Sequence, residues 1–268
     1  MNIERLRKII AYSAKNQEDI ASLVKKFCSV SEIEYDSNLL NILQIARSAF
    51  EQKGFLVLEI PFADDEIGAV CYKGDGLSYV VLNTSLPKVN INFAIAHEIY
   101  HVYFQRREFV SKVEFSDDHY YEHEEEYAAN LFAGMLLMPE ISFRRMYAKF
   151  REESAGDKLN TIIRLMSYYQ VPYMAALIRC IELGLWASNT LTEQFLNVGR
   201  AQIKEKLNEL WLDESIMEPT NRDDYSRLEM IVERVGREYI QDAYINERTL
   251  EKVLLYMREI YGKINKRG

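Results

Sequence analysis

The residues best suited to chemistry lie in one short segment of the chain. Residues 93–104 contain His97, Glu98 and His101 in the pattern HExxH, within a stretch whose apolar residues recur with a helical period. Residues four apart on a helix lie one turn apart and about 40° round its axis, so both imidazoles can converge on one ion. Glu98 projects about 100° away from His97, which suits a base that accepts a proton from water. The pattern predicts a zinc site with hydrolytic chemistry.

All four histidines of the chain lie between positions 97 and 123. Structural histidines would be expected to scatter, so the clustering favours a shared site over a chance match to the motif. His119 and His123 are also four residues apart. We assign to His123, as a hypothesis, a hydrogen bond to the oxyanion that forms in the transition state, the alternative being a surface position.

A catalytic zinc site needs a third protein ligand and keeps a fourth position open. In one common pattern a glycine follows the second motif histidine by three residues, and a histidine that follows it by six residues is the third ligand. This chain has Phe104 and Arg107 at those two positions. The other common solution is a glutamate on a following helix. Four glutamates are available there: Glu122, Glu124, Glu125 and Glu126.

Helical geometry favours Glu126 among these four. At 100° per residue, Ala129 and Ala133 lie within about 60° of Glu126, so this face is small and allows close approach to the histidine helix. Asn130 follows one turn later and could orient a ligand histidine from the outer side. Glu122 lies one turn earlier and remains the competitor. The other acidic side chains nearby are expected to form a solvated helix face.

The apolar periodicity predicts a mostly helical α+β protein. The chain has only 11 Gly and 5 Pro, too few for the many turns of an all-β fold. Three β-prone runs predict a small antiparallel or mixed β-sheet, at residues 55–60, 67–72 and 78–83. Helices are predicted as two short helices within residues 1–30 and at residues 38–52, 90–105, 117–137, 162–169, 174–185 and 250–264.

This order of elements divides the chain into four parts. The motif and the sheet belong to the second part. The predicted parts are an N-terminal helical extension (1–36), a core (37–150), a helical segment packed on that core (151–189) and a C-terminal helical domain (190–268).

Direct nucleic-acid binding is not favoured. The net charge is -8, whereas phosphate neutralisation requires a dense basic face. Two stretches could form a helix-turn-helix, residues 17–27 and residues 162–185 with their break at Val171 and Pro172. Neither stretch has such a basic face, so helices that pack on the core are the preferred interpretation.

The cysteines and the N-terminus predict a cytoplasmic protein. Cys28, Cys71 and Cys180 are odd in number and lack CxxC spacing, which suits a reducing compartment. Residues 1–17 lack the apolar core of a signal peptide, and the longest apolar stretch, residues 131–138, is too short to span a membrane.

Two strings together resemble the ImmA/IrrE metallo-endopeptidases. AHEIYH at residues 96–101 precedes EYAANLFAGMLLMP at residues 126–139, and VVLNTSLP at residues 80–87 is similar to the family's segment before the active helix. The resemblance extends over about residues 38–187. Tyr100 stands where the family often has Gly, which affects the shape of the cleft. Ala128 stands where the family often has a second Glu, which removes a competitor of Glu126.

The resemblance implies a zincin-like metallopeptidase core and, as partner, a helix-turn-helix transcriptional repressor that the enzyme cuts at one site. The residues alone support water attack on a peptide carbonyl, with Glu98 moving the proton. The strand at residues 78–83 could hold an extended substrate by edge pairing.

Two other functions remain open. A non-catalytic regulator could keep the metal for folding and bind a repressor without cutting it, although structural zinc sites usually use four protein ligands. A DNA-binding regulator would require one of the two helix-turn-helix candidates to contact DNA. The oligomeric state does not follow from the sequence.

Overall fold

The computed structural model describes residues 2–74, 77–105, 124–186 and 193–265, and it confirms a mostly helical α+β fold with a small sheet. In chain order the elements are α1 (Ile3–Val30), α2 (Ile42–Gln52), β1 (Leu56–Ile60), β2 (Ala69–Gly74), β3 (Leu77–Asn83), α3 (Lys88–Phe104), α4 (Glu124–Leu137), α5 (Glu140–Glu153), α6 (Lys158–Tyr169), α7 (Tyr173–Glu182), α8 (Glu193–Leu196), α9 (Arg200–Glu209), a 3₁₀ helix (Glu214–Met217), α10 (Tyr225–Gln241) and α11 (Glu247–Asn265). None of the helices described is both long enough and apolar enough to cross a bilayer.

The N-terminal helix α1 is one continuous helix, so the prediction of two short helices is wrong. Leu6, Ser13 and Ile20 are all buried, at seven-residue intervals along one stripe. Ser13 can be buried because its hydroxyl donates to the Glu182 carboxylate over 2.7 Å. This polar residue interrupts the apolar pattern, and its partner lies 169 residues away. Since α1 contains no turn, residues 17–27 do not form a helix-turn-helix.

The sheet is mixed, with strand order β1-β3-β2. β1 runs parallel to β3, and β2 runs antiparallel to β3. Both edges of β3 are therefore occupied by neighbouring strands. The prediction that the strand at residues 78–83 holds a substrate by edge pairing is wrong, because it is the central strand.

The two outer edges of the sheet differ. On β1, the N–H of Glu59 donates to Asp224 Oδ2 at 2.9 Å, and the N–H of Asp224 donates to the Glu59 carbonyl at 2.7 Å. The buried Glu59 carboxylate is neutralised by Arg47 and Arg222. No backbone partner occupies the outer edge of β2 among the residues that the structure describes. β2 therefore presents an open edge.

Helices α3 and α4 pack against each other at the centre of the molecule. Phe132 of α4 is fully buried, and its ring lies 6.0 Å from that of Tyr100 and 5.6 Å from that of Phe104 on α3. On the other side it lies 6.2 Å from the ring of Phe27 on α1. These contacts fix the position of α4 relative to α3. Of the helix predicted at residues 117–137, the part before Glu124 lies outside the described residues.

Other predicted helices differ from the observed ones by a few residues at their ends. α2 begins at Ile42 rather than at residue 38, after a turn. α6 begins four residues earlier than predicted because Asp157 caps it, accepting a hydrogen bond from the N–H of Asn160 at 2.7 Å. Such caps decide where a helix begins, whereas apolar periodicity reports only the stripe that it buries.

The predicted break between α6 and α7 is present. Gln170 adopts a left-handed conformation with φ 50°, and Pro172 precedes the first residue of α7. No residue of α7 is exposed, because the helix packs on α1, α4 and α6. A recognition helix needs an exposed face to enter a DNA groove. The fold offers no such face on α7.

Residues 218–224 connect the C-terminal helices to the segment before α3. The N–H of Lys88 donates to the Glu218 carbonyl at 3.2 Å, and the N–H of Asn221 donates to the Thr84 carbonyl at 3.0 Å. Thr84 Oγ1 in turn donates to the Arg222 carbonyl at 2.6 Å. The start of α3 is thus held in place by residues far away in the sequence.

Candidate metal centre

Three side chains on α3 and α4 direct their ligand atoms to one point. His97 Nε2 lies 2.9 Å from His101 Nε2 and 3.2 Å from Glu126 Oε2, and His101 Nε2 lies 3.5 Å from Glu126 Oε1. In a tetrahedral zinc site with bonds of about 2.0–2.2 Å, the ligand atoms are about 3.3 Å apart. The donor set and its spacing therefore fit a zinc ion.

The outer nitrogens of both imidazoles hydrogen-bond to amide oxygens. His97 Nδ1 lies 3.1 Å from Asn130 Oδ1, and His101 Nδ1 lies 2.8 Å from Gln105 Oε1. An amide oxygen only accepts, so each Nδ1 carries the proton and each Nε2 can present a lone pair. This is the tautomer that binds a metal through Nε2.

The electrostatics of the cluster also favour a cation. Burial lowers the pKa of His97, but the hydrogen bond and charge of Glu126 outweigh burial and raise it. The pKa of His101 is lowered to about 4, first by burial and then by the charge of His97. His101 is therefore neutral near pH 7, as a ligand must be. A cluster that attracts a proton to His97 also attracts a positive ion.

Glu126 reaches the histidines because α4 lies close to α3. Ala129 and Ala133 are fully buried, as expected for a small face between two helices. Glu125 points elsewhere and accepts a hydrogen bond from the Tyr100 hydroxyl at 2.9 Å. Tyr100 therefore supports the first turn of α4 through this bond.

The candidate site residues Glu122 and His123 lie outside the described residues, as do His119 and Arg107. Asn130 lies where its spacing predicts it, beside His97. Gln105 was missed by the sequence reasoning. The available signal was the spacing of Gln105 from His101, because a residue four positions later, here just after the last residue of α3, lies about one turn farther along on the same side.

Glu98 lies next to the cluster and is buried, with 8% of its surface exposed. Its pKa is raised to about 7 by burial and by the charge of Glu126, while His97 acts in the opposite direction. The influence of Glu98 extends to Cys71 on β2, where burial and then the Glu98 charge raise the pKa of the thiol. Near neutral pH a carboxyl with this pKa can both accept and release a proton.

β2 lies close to α3 on the Glu98 side. A Cβ atom at Gly68, just before β2, would lie 3.1 Å from the Cβ of Ala94, one turn before Glu98 on α3. The absence of a side chain at Gly68 thus permits this close approach. β2, whose outer edge is open among the described residues, therefore packs beside the part of α3 that carries Ala94 and Glu98.

A comparison with the curated proteins finds no match. Residues 50–180 match the family described as Peptidase_M78: IrrE N-terminal-like domain. The matched range contains α3 with the HExxH motif, α4 with Glu126 and the whole sheet. The resemblance carried by the two sequence strings is thereby confirmed, and residues 50–180 form a domain of the ImmA/IrrE type.

Proposed function

We propose that this chain is a zinc-dependent endopeptidase in which His97, His101 and Glu126 hold the ion and Glu98 is the general base. The observation that carries the proposal is the convergence of three ligand atoms beside a buried carboxyl whose pKa is raised to about 7. A purely structural zinc site would more often have four protein ligands.

When bound, zinc lowers the pKa of a water molecule and polarises a carbonyl oxygen. Glu98 accepts the proton that the water releases as its oxygen attacks the peptide carbonyl carbon. The same carboxyl returns this proton to the nitrogen when the C–N bond breaks, so one water is consumed and no net proton is gained or lost. Asn130 and Gln105 hold the imidazoles in orientation throughout.

The substrate is proposed to bind as an extended strand along the outer edge of β2. This edge has no backbone partner among the described residues, and β2 packs beside α3, the helix that carries Glu98. Main-chain hydrogen bonds to such an edge position a peptide with little dependence on its side chains. Selection of a target must then depend on contacts away from the edge.

The proposed target is one helix-turn-helix transcriptional repressor, which is what the resemblance to the ImmA/IrrE family implies. Cleavage would take place in the cytoplasm, where such repressors act and where Cys28, Cys71 and Cys180 remain as free thiols. The chain itself is not proposed to bind DNA, because α1 contains no turn and α7 has no exposed residue.

The decisive experiment incubates the zinc-loaded protein with the repressor encoded nearest to its own gene. We expect two fragments from a single cut, identified by mass spectrometry, and no comparable digestion of casein. Glu98→Gln is the matched control, because the amide has the same size and cannot accept the proton. Stable binding of the repressor by zinc-loaded protein without any cut would contradict the proposal and favour a non-catalytic regulator.

A further inference from the structure

Helices α10 and α11 form an antiparallel hairpin, the C-terminal hairpin (residues 225–265). The rings of Tyr225 and Tyr261 stack with centroids 3.9 Å apart, while Gly236, farther along α10, lies against Leu250, near the start of α11. Two residues are called level when they lie at the same height along the hairpin. From one level to the next, the residue number rises along α10 and falls along α11. Gly236 is the one buried residue of α10, and Leu250 is the one buried residue of α11.

Hydrogen bonds attach this hairpin to the rest of the chain at one end. Asp224, just before α10, pairs with the backbone of Glu59, and the Ile264 carbonyl near the end of α11 accepts from the N–H of Ala63 at 2.8 Å. The opposite end is the connection between Gln241 and Glu247. The hairpin is thus held at its base.

One side of the hairpin is mainly apolar, with Thr249 at the start of α11 as a polar exception. Gly236 on α10 and Leu250 on α11 mark the directions in which the two helices face each other. At 100° per residue, the apolar side chains of α10 lie about 60–140° to one side of Gly236. Those of α11 lie about 60–120° to one side of Leu250. Because the helices are antiparallel, both sets point to the same side. We call this surface the outer face: Leu228, Ile231, Val235, Tyr239, Val253, Tyr256 and Ile260.

The outer face is open to solvent in the single chain. The exposed fraction is 50% for Tyr239, 43% for Val253 and 63% for Tyr256. The opposite side of the same two helices carries mainly charged and polar residues, with Met230 and Leu255 as isolated exposed apolar side chains. A contiguous apolar face of this kind marks an interaction surface.

We propose that the outer face binds the outer face of a second copy of this chain, so that two hairpins form a four-helix bundle. At 1.5 Å per residue, α10 is about 25 Å long and α11 about 28 Å, and two packed helices present a width of about 20 Å. The corrugated surface of such a face is on the order of the 800 Å² per partner that a stable dimer buries.

The charges of the hairpin favour a second copy over a nucleic acid or an acidic membrane. Residues 225–265 contain seven acidic and seven basic side chains, which gives no net charge. A phosphate-rich partner would require a basic surface instead. A neutral surface with an apolar centre suits a self-complementary protein interface.

The order of the charges also fits a symmetric pair with its two-fold axis parallel to the helices. In the register in which Tyr225 is level with Tyr261, Arg227 is level with Glu259, and both lie on the outer margins of the hairpin. In the pair, α10 of one copy packs on α11 of the other, so Arg227 faces the second copy's Glu259.

The same register brings two further margin charges together. Glu238 becomes level with Arg248 of the second copy, again an opposite pair. Arg234 and Lys252 are also level, and both are positive. Their repulsion is reduced because Arg234 lies 3.7 Å from the Glu238 carboxylate on its own helix.

The test is the mass of the full-length, zinc-loaded protein in solution, measured by analytical ultracentrifugation over a range of concentrations. We expect twice the chain mass of 31.4 kDa. The double variant Ile231→Glu with Tyr256→Glu should sediment as a monomer with unchanged helix content by circular dichroism. The matched control, Met230→Glu with Leu255→Glu, adds the same charges on the opposite side and should remain dimeric.

A second pair of variants tests the proposed arrangement. Arg227→Glu should weaken the dimer at least tenfold, and adding Glu259→Arg to it should restore the affinity because the pair is reversed. A monomeric wild type at all concentrations would overturn the proposal. If the opposite-side control dissociates as readily as the outer-face variant, the assigned face is wrong. If Glu259→Arg does not rescue Arg227→Glu, the assigned arrangement is wrong.

Discussion

The metal centre and the C-terminal hairpin are both built on a pair of packed helices, but they differ in how much of each helix is enclosed. Seven of 17 residues of α3 and nine of 14 residues of α4 are buried. In α10 and α11, one residue of 17 and one of 19 are buried. Helix stability in proteins depends mainly on packing, so the first pair is held firmly and the second has apolar surface to offer.

This difference explains what each region can do. Enclosed helices restrict side-chain rotamers, so three ligand atoms can be held at spacings that suit one ion. A hairpin attached at its base has no such enclosure, and it gains burial only from a partner. The following predictions test whether metal binding depends on the enclosed pair alone.

The largest effect is expected from removing a ligand. His101→Ala or Glu126→Ala should lose both zinc and peptidase activity, because two remaining side chains seldom hold zinc. Metal content after dialysis, measured by elemental analysis, provides the check. Glu122→Ala is the control and should keep its zinc. Tight zinc binding by Glu126→Ala, together with its loss in Glu122→Ala, would place the third ligand one turn earlier.

Removing the proposed base should affect catalysis without affecting the metal. Glu98→Gln should retain stoichiometric zinc and lose about 10²–10⁴-fold in turnover, the usual contribution of a general base. Single-turnover cleavage of the repressor measures the loss. Turnover near that of the wild type would show that Glu98 is not the base.

A smaller effect is expected from the residues that orient the histidines. Asn130→Ala and Gln105→Ala should each weaken zinc binding by about 10–100-fold, since the freed imidazole can rotate. Competition with a chelator of known affinity gives the values. Glu124→Ala is the control: it removes an exposed side chain from the first turn of α4 and should leave the zinc affinity unchanged. An equal loss in this control would point to general damage to α4.

The smallest effect on the metal centre should come from the hairpin. Gly236→Ala places a methyl group into Leu250, which should destabilise the hairpin by about 1–3 kcal/mol. Hydrogen exchange of residues 225–265 measures this, and zinc affinity should not change. Gly262→Ala is the matched control, because a Cβ atom there has no neighbour within 4 Å. A loss of zinc in Gly236→Ala would mean that the two regions are coupled.

Much of the candidate site could be predicted from spacing along the chain. His97 and His101 share a side of α3 because they are four residues apart, and Asn130 follows Glu126 on α4 for the same reason. Helical periodicity is a local property, so it can be read from the residues themselves. Gln105 follows His101 by four residues, so the same spacing also indicates it as a partner of that imidazole.

The ends and lengths of helices were harder to predict because distant partners decide them. α1 continues through Ser13 since Glu182 of α7 satisfies the buried hydroxyl. From the sequence alone, a polar residue at a core position suggests that the helix ends there, because its hydrogen-bond partner is not known.

The residues alone determined which side chains can bind a metal and accept a proton, because helical spacing places them on one side of each helix. Only the tertiary structure decided which edge of the sheet is open: β3 lies in the centre, Asp224 covers β1, and no described residue pairs with the outer edge of β2. It likewise decided that α7 is enclosed and that the outer face of the C-terminal hairpin is exposed. The physical reason is that strand order and burial depend on contacts between residues far apart in the chain, which local periodicity does not encode.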